Sequence, residues 1–385
     1  MGVDAALARR LVAEPSALAA AMGQPDPDSL AAATALRRDF DPELATAALG
    51  QAALRHRART KFGAAAERMF LTPVGLEQAT RPEVARWRAA RLVAAGVRRV
   101  ADLGCGLGSD ARAFAEAGLE VLAVEADEAT AVLAGANLAD LPGVTVRHAR
   151  AEEIELAADQ VAFGDPARRR GAERSWRIED FQPAWDFVTG LLERSAGAML
   201  KLGPGLPHRL IPTGVGAEWI SHDGSAVEVT LTSAVLADPV RAAVLLPAGE
   251  RIVASEVPLL VTGVGAYLLE PDPAVIRSGA VPALAAELGA TRLADQIAYL
   301  SAEEPVGSPF ATVFEVLEVL PYKEKTLRSW VREHRIGTLE IKKRGLDLDP
   351  AVLRRRLRPS GPERATLVLT PTPDGARALV VRRAG

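Results

Sequence analysis

The sequence predicts an α/β fold with a doubly wound, Rossmann-like parallel sheet. A short apolar run at Arg99–Leu103 leads into alternate glycines, and a helical segment then leads to a second apolar run at residues 119–124, which ends at Glu125. This order of strand, glycine turn, helix and strand describes one βαβ unit. Further strands are expected at Val144–His148, in the run that reaches Asp165, and at Ala198–Leu202.

The residues of the glycine turn indicate the class of ligand. Gly104 and Gly106 let the backbone lie against a ligand, because a Cβ at either position would collide with it. Ser109 stands where a dinucleotide fingerprint has its third glycine, and Asp102, just before the turn, suits an ammonium group. Glu125 can accept hydrogen bonds from both ribose hydroxyls. This combination favours S-adenosylmethionine over a nicotinamide dinucleotide, or over a glycine-rich turn without a ligand.

The remaining cofactor contacts follow from position in the same unit. Arg150 falls where a small acid often contacts the adenine amine, so we expect Glu152 or the backbone to take that role. Cys105 is expected to be a small filler, since no His or Lys adjoins it to lower its pKa. The predicted cofactor-binding residues are Asp102, Gly104, Cys105, Gly106, Gly108, Asp110, Glu125, Ala126 and Glu152.

A second motif, Asp165–Pro166–Ala167–Arg168, is expected at the end of the fourth strand. A carboxylate and an adjacent carbonyl there can accept the two N–H groups of a planar exocyclic amine and turn its lone pair toward a methyl donor. We therefore predict that Asp165, Pro166 and Arg168 are catalytic. Alanine and arginine replace the second proline and the aromatic residue that usually complete such a motif. The alternative is an ordinary loop with a solvated basic cluster.

Charge is distributed unevenly along the chain. The net charge of −3 excludes no function class, but residues 321–359 hold 12 Lys and Arg against 5 Asp and Glu. Such a local excess is suited to phosphates, although a solvated basic face is the alternative. Arg169 and Trp176, which follow the Asp-Pro motif, can hold a phosphate or stack on a base. The predicted RNA-binding residues are Arg169, Trp176, Lys342, Lys343, Arg344, Arg354 and Arg355.

Length and composition predict several domains. The chain of 385 residues has one cysteine, so we expect no disulfide and no cysteine-based metal site, and we predict that no metal is bound. Without a signal pattern or a membrane-length apolar run, the expected compartment is the cytoplasm. We predict an N-terminal helical region at 1–80, a methyltransferase domain at 81–238, a mixed connecting region at 239–310 and a small basic α+β domain at 311–385.

Four segments resemble a known family. The segment at 70–80, the run from Asp102 to Asp110, the Asp-Pro motif at 165–168 and the basic segment at 341–345 are similar to prokaryotic class I methyltransferases with a C-terminal THUMP-like domain. The catalytic half also distantly resembles the trimethylguanosine synthase group, which methylates N2 of guanine. In that group a segment ahead of the first strand packs over the cofactor, and Thr72–Pro73 loosely matches it. THUMP domains bind RNA, so the resemblance implies an RNA substrate.

Together these observations predict an S-adenosylmethionine-dependent methyltransferase. The expected acceptor is an exocyclic base nitrogen of structured RNA, either tRNA or rRNA, with the C-terminal basic unit as the docking surface. The alternatives are a small-molecule or protein methyltransferase, and a non-catalytic RNA-binding protein that keeps the methyltransferase fold. The sequence does not predict the oligomeric state, the RNA, the base or the atom.

Overall fold

The computed structural model describes residues 3–168 and 177–384, and these form two compact units. Within the described ranges, the first unit contains residues up to 217 together with 228–239. The second contains residues 218–227 and those from 240 onward. Each unit has its own sheet elements and its own buried clusters, and each is described by itself below.

Helices form the N-terminal part of the first unit, as predicted. Polar side chains cap their first turns: Asp4 accepts a hydrogen bond from Leu7 N at 2.8 Å, and Ser29 accepts one from Ala32 N at 3.2 Å. Alanine and leucine side chains then pack the helices against one another. The helices are α1 (Ala5–Ala13), α2 (Pro15–Met22), α3 (Leu30–Leu36), α4 (Pro42–Phe62), α5 (Pro73–Gln78) and α6 (Pro82–Ala94).

The rest of the first unit is the predicted doubly wound sheet. Strands β1 to β4 and β7 are parallel, β9 is antiparallel to β7, and the order is β9-β7-β4-β1-β2-β3. The elements are β1 (Arg99–Leu103), α7 (Ser109–Glu116), β2 (Glu120–Glu125), α8 (Glu128–Leu138), β3 (Val144–His148), β4 (Val161–Gly164), β5 (Ala167–Arg168), β6 (Phe181–Gln182), α9 (Trp185–Leu191), β7 (Ala198–Leu202) and β9 (Ser225–Thr232). Most residues of the intervening strand β8 (Gly216–His222) belong to the second unit.

A buried arginine links three of these elements. Arg88 of α6 is fully buried and pairs with Asp110 of α7 and Glu228 of β9. Its guanidinium also lies 4.8 Å from the centre of the Phe163 ring. Burial alone would lower the pKa of Arg88, but Asp110 and Glu228 raise it, so the side chain stays charged. The pairing compensates a charge that would otherwise be costly inside the protein.

The second unit contains a seven-stranded sheet in the order β13-β14-β12-β15-β18-β17-β16. Its elements are β10 (Arg241–Leu246), β11 (Glu250–Val253), β12 (Tyr267–Pro271), α10 (Pro273–Ser278), α11 (Val281–Leu288), β13 (Thr291–Arg292), β14 (Leu300–Ala302), β15 (Ala311–Pro321), α12 (Glu324–Glu333), β16 (Ile336–Lys343), α13 (Pro350–Leu357), β17 (Glu363–Thr372) and β18 (Gly375–Arg383). Strands β12 and β14, from the region with the weakest sequence pattern, extend the sheet that β15 to β18 form.

Side-chain alternation decides what each face of this second sheet packs against. On β16, Leu339 and Ile341 join the buried cluster that contains Leu327 of α12 and Leu353 of α13. The opposite face packs against a second cluster, which includes Leu293, Ile297 and Tyr299. Lys342 follows Ile341 along β16, so its side chain lies on the opposite face and points away from α12 and α13.

Replacement of Arg88 tests the buried pairing. We expect Arg88→Met to lower the free energy of unfolding by about 3–5 kcal/mol, because two buried carboxylates lose their shared cation. Chemical denaturation at neutral pH measures the loss. The loss should shrink at acid pH, where the carboxylates are protonated.

Arg86→Met is the matched control, since Arg86 lies on the same helix but its side chain is 61% exposed. Its effect should stay within about 0.5 kcal/mol. Equal losses for the two variants would contradict a special role for the buried pairing.

Candidate active site

The glycine turn after β1 brings bare backbone to the carboxyl edge of the sheet. Gly104 has a φ of +102°, a conformation that side chains rarely adopt. A Cβ built on Gly104 would lie 3.9 Å from the carbonyl oxygen of Asp165, so the turn faces the end of β4. The N–H groups of Gly104 and Cys105 both donate to the Val124 carbonyl oxygen at 2.9 Å, which ties the turn to β2.

A cavity of about 320 Å³ opens in front of this turn. That volume is within the usual range of small-molecule sites. Gly108 alone among the predicted cofactor residues does not line it. A Cβ on Gly108 would lie 2.8 Å from Leu138 Cδ1, so Gly108 packs against α8 instead. The predicted residues that do line the cavity are Asp102, Gly104, Cys105, Gly106, Asp110, Glu125, Ala126, Glu152 and Asp165.

The segment ahead of β1 contributes another wall. Gly75 and Gln78 of α5, followed by Ala79 and Thr80, line the cavity. Thr80 Oγ1 donates to Asp110 Oδ2 at 2.5 Å, which joins this wall to the carboxylate that Arg88 holds. Thr72 and Pro73, which loosely match a segment that packs over a cofactor, do not line the cavity themselves, but the residues that follow them do.

Two buried amide side chains hold this segment in place. Gln51 of α4 accepts from Leu71 N at 2.8 Å and donates to Leu71 O at 2.6 Å. Asn137 of α8 accepts from Phe70 N at 2.7 Å and donates to Phe70 O at 3.0 Å. Asn137 also donates to Leu107 O in the glycine turn at 3.0 Å. Each amide thus satisfies both backbone groups of one extended residue, as a neighbouring strand would.

Asp102 is the most unusual group in the cavity wall. It is 1% exposed, and neither carboxylate oxygen has a hydrogen-bond partner among the described residues. Burial, with the nearby charges of Asp110 and Asp165, raises its pKa well above the ordinary value. A buried carboxyl group without a partner, facing a cavity, is suited to a cationic ligand group.

Glu125 and Glu152 lie on the next two segments of the same edge. Glu125 Oε2 accepts from Gly106 N at 3.0 Å, and Oε1 accepts from Asp127 N at 2.8 Å. These bonds hold the carboxylate in place but leave lone pairs for further donors, such as hydroxyl groups. Glu152 forms an ion pair of 3.2 Å with Arg150, and both side chains line the cavity.

Asp165 meets a partner that the sequence did not suggest. Its carboxylate pairs with the ammonium of Lys201 on β7, and both side chains line the cavity. The parallel register aligns Gly164 with Leu200, so the next residues along the two strands come side by side. One feature of the sequence could have indicated this pair: Lys201 lies within the apolar run Ala198–Leu202, and a buried cation needs an acidic neighbour.

Two smaller polar groups, the Ser109 hydroxyl and the Cys105 thiol, also line the cavity. The hydroxyl of Ser109 is buried, lines the cavity and has no partner among the described residues, and it was not predicted as a contact. Cys105 is buried, and its burial beside Asp102 and Glu125 raises the pKa of the thiol. A raised pKa disfavours the thiolate, the form in which a cysteine acts as a nucleophile.

Two further residues that were predicted to be catalytic, Pro166 and Arg168, follow Asp165 directly. Pro166 is buried beside Asp165 and does not line the cavity. Arg168 belongs to the short strand β5, which pairs with β6. Arg169 and Trp176 lie outside the described residues.

The predicted basic residues of the second unit fall into two groups. Lys342 pairs with Glu270 at 2.6 Å, and its ammonium lies 5.4 Å from the centre of the Phe314 ring. Arg344 lies over the Tyr299 ring at 5.2 Å. These two side chains make internal contacts. The side chains that are exposed are those of Lys343, Arg354 and Arg355.

Neither a metal centre nor a membrane span emerges from the described part of the chain. No group of three or more His, Cys, Asp or Glu side chains there is arranged to hold a metal ion. None of its helices combines the length and apolar character needed to cross a bilayer.

Comparison with known proteins identifies the domains at the two ends of the chain. Residues 311–383 match the THUMP domain-like family, and residues 5–58 match a domain of unknown function, DUF8688. A crystal structure of a candidate methyltransferase from Porphyromonas gingivalis W83 has a TM-score of 0.75 and 22% identity, and covers 97% of this chain and 99% of that one. It confirms the fold.

Relatives in two strains of Mycobacterium tuberculosis, H37Rv and CDC 1551, show the family. Each is an uncharacterized S-adenosylmethionine-dependent methyltransferase, 34% identical over 332 residues, which cover 82% of this chain and 90% of the relative. The predicted enzyme class and cofactor are thereby confirmed. The chain belongs to this family of S-adenosylmethionine-dependent methyltransferases, with a THUMP-like domain at its C-terminal end.

Proposed function

We propose that this methyltransferase acts on an exocyclic amine of a nucleobase in structured RNA, such as tRNA or rRNA. The observation that carries the proposal is the position of Asp165. Its carboxylate lies at the end of β4 on the wall of the cofactor cavity, followed by the buried Pro166. An acceptor at that place can receive an N–H group of an amine that faces the methyl donor.

The cofactor supplies an electrophilic methyl group and leaves as a neutral thioether. The amine lone pair forms the new N–C bond, so positive charge develops on nitrogen. Asp165 accepts a hydrogen bond from that nitrogen, stabilises the developing charge and takes the proton that the nitrogen loses. No strong base is needed beforehand, and most of the acceleration comes from alignment.

The residues of the cavity fit S-adenosylmethionine. Asp102 would hold the amino group of the methionine part, because its carboxylate is buried beside the glycine turn without a partner. Glu125 would accept hydrogen bonds from the ribose hydroxyls with its remaining lone pairs, and Glu152 would lie near the adenine. The bare backbone of Gly104 and Gly106 leaves room for the methionine part.

The THUMP-like domain supports RNA as the substrate. Arg354 and Arg355 lie in the last turn of α13, and neither forms an ion pair with a described residue. Lys343 at the end of β16 is exposed as well. Exposed guanidinium and ammonium groups bind phosphates without regard to sequence, which is what docking a folded RNA requires.

Asp102→Asn tests the cofactor site. We expect about 10- to 100-fold weaker binding of S-adenosylmethionine, because a charge-assisted hydrogen bond is lost. In the wild type, binding should release a proton from Asp102, so affinity should fall as the pH is lowered below its raised pKa. Isothermal titration in buffers of different ionisation enthalpy measures both effects.

The free Asp102→Asn protein should be at least as stable as the wild type at neutral pH. A raised pKa in the folded state means that ionised Asp102 opposes folding at higher pH, and asparagine removes that opposition. Unchanged affinity and unchanged pH dependence would contradict the assignment.

Asp165→Asn tests the transfer step. We expect labelled methyl incorporation into bulk tRNA or rRNA to fall at least 100-fold, because the proton acceptor is lost. The affinity for S-adenosylmethionine should change little. Glu193→Gln, an exposed carboxylate replaced in the same unit, serves as the control and should retain activity. Full activity of Asp165→Asn, or incorporation only into protein or small molecules, would contradict the proposal.

Double replacement of Arg354 and Arg355 by alanine tests RNA docking. The slope of log affinity against log salt should become shallower by about 1–2, since each lost phosphate contact removes roughly 0.7–0.9. The matched control replaces Arg37 and Arg38, an adjacent exposed pair in the first unit. Fluorescence anisotropy with labelled tRNA across a salt series gives the slopes. Identical slopes for both double variants would remove α13 from the docking surface.

A further inference from the structure

The ion pair between Lys201 and Asp165 lies on the wall of the cavity, where it can influence which base binds. Lys201 and Asp165 place a hydrogen-bond donor directly beside a hydrogen-bond acceptor on the wall of one cavity. An ammonium group has three donors and no acceptor, whereas an ionised carboxylate only accepts. The two side chains therefore offer a fixed donor–acceptor pattern to any planar group that enters.

Burial makes this pattern stable. The Lys201 side chain is 13% exposed, and Asp165 is its one hydrogen-bond partner among the described residues. Burial alone would lower the pKa of Lys201, but Asp165, with Asp110 and Glu228, raises it. Lys201 is therefore charged at neutral pH, and its ammonium has three N–H groups, more than the contact with Asp165 uses.

Asp165 is more open than its partner. A third of its side chain is exposed, and Lys201 contacts Oδ2. The other oxygen can accept an N–H group of an incoming amine without breaking the ion pair. An amine at Asp165 then has its neighbouring ring atom close to Lys201.

We infer that Lys201 is a specificity-determining residue, which selects a base whose exocyclic amine stands beside an unprotonated ring nitrogen. This edge occurs in adenine, with N6 beside N1, and in cytosine, with N4 beside N3. On the Watson–Crick edge of guanine, N2 has the N1–H donor beside it. There the Lys201 ammonium would face another donor, which disfavours that edge, and guanine fits only when its other flank, where N3 is unprotonated, faces Lys201. The inference rests on the proposed function, a base amine as acceptor.

This assignment differs from what the distant resemblance to guanine N2 enzymes implies. Recognition of the Watson–Crick edge of guanine, N2–H together with N1–H, needs two acceptors side by side, and in this structure a lysine contacts the Asp165 carboxylate. An ammonium group donates hydrogen bonds and does not accept them, and small adjustments of geometry do not change that role.

The identity of the methylated nucleoside tests the inference. The full-length enzyme is incubated with methyl-labelled S-adenosylmethionine and bulk tRNA or rRNA, and the RNA is digested and analysed by mass spectrometry. We expect label in N6-methyladenosine or N4-methylcytidine, and the two masses distinguish the bases. Label in N2-methylguanosine, with 3-deazaguanosine methylated as well as guanosine in the same RNA, would overturn the inference while supporting the proposed function. Absence of label from every base amine would overturn both.

A substrate with an altered ring isolates the role of Lys201. In a synthetic RNA, the ring nitrogen beside the target amine is replaced by C–H, as in 1-deazaadenosine or 3-deazacytidine. The wild type should lose about 10- to 100-fold in kcat/KM on this RNA, because a charge-assisted hydrogen bond is lost.

Lys201→Met should show almost no such discrimination, and Lys201→Arg should restore part of it. The discrimination factor compares two substrates on one enzyme preparation, so a loss of folded protein cancels. Equal factors for the wild type and Lys201→Met would overturn the inference.

Discussion

The structure depends on a balance of buried charge beneath the cofactor cavity. Four carboxylates, those of Asp102, Asp110, Asp165 and Glu228, share two cations, Arg88 and Lys201. Arg88 satisfies Asp110 and Glu228, and Lys201 satisfies Asp165, so the carboxyl group left over is Asp102. S-adenosylmethionine carries two cationic groups and one carboxylate, so at the proposed cofactor site its binding would supply the missing positive charge. Under the proposed assignment, folding and cofactor recognition would rely on one electrostatic arrangement.

This arrangement also organises the catalytic wall. Arg88 comes from α6 and joins the helix after the glycine turn to an antiparallel strand, while Lys201 joins the ends of β4 and β7. Side chains held by such pairs on regular elements keep their positions more closely than side chains on free loops. A methyl transfer that gains its rate mainly from alignment requires this rigidity.

Local sequence patterns predicted which residues line much of the cavity, but they did not predict the ion pairs that these residues form. Asp102, Glu125 and Asp165 come together because each follows or ends a parallel strand, and parallel strands end at one edge. Arg88 and Lys201 were missed, since a buried cation depends on acids more than 20 residues away along the chain. The sequence predicted that Lys342 and Arg344 bind RNA, but Lys342 contacts Glu270 and Arg344 contacts Tyr299. Both partners come from the region between 239 and 310, whose periodicity is weak. Local charge counts cannot anticipate such long-range pairing.

The amide clamps of Gln51 and Asn137 have a consequence for the architecture of the enzyme. Phe70 and Leu71, just ahead of the cavity wall, pair with no strand in the described part of the chain, and at Leu71 a side chain of α4 supplies the hydrogen bonds that a strand would. Excision of the N-terminal helices would leave the Leu71 amide and carbonyl unsatisfied inside the protein. The helical region is therefore an integral component of the catalytic unit, and a minimal fragment beginning at the first strand lacks one side of its own binding chamber.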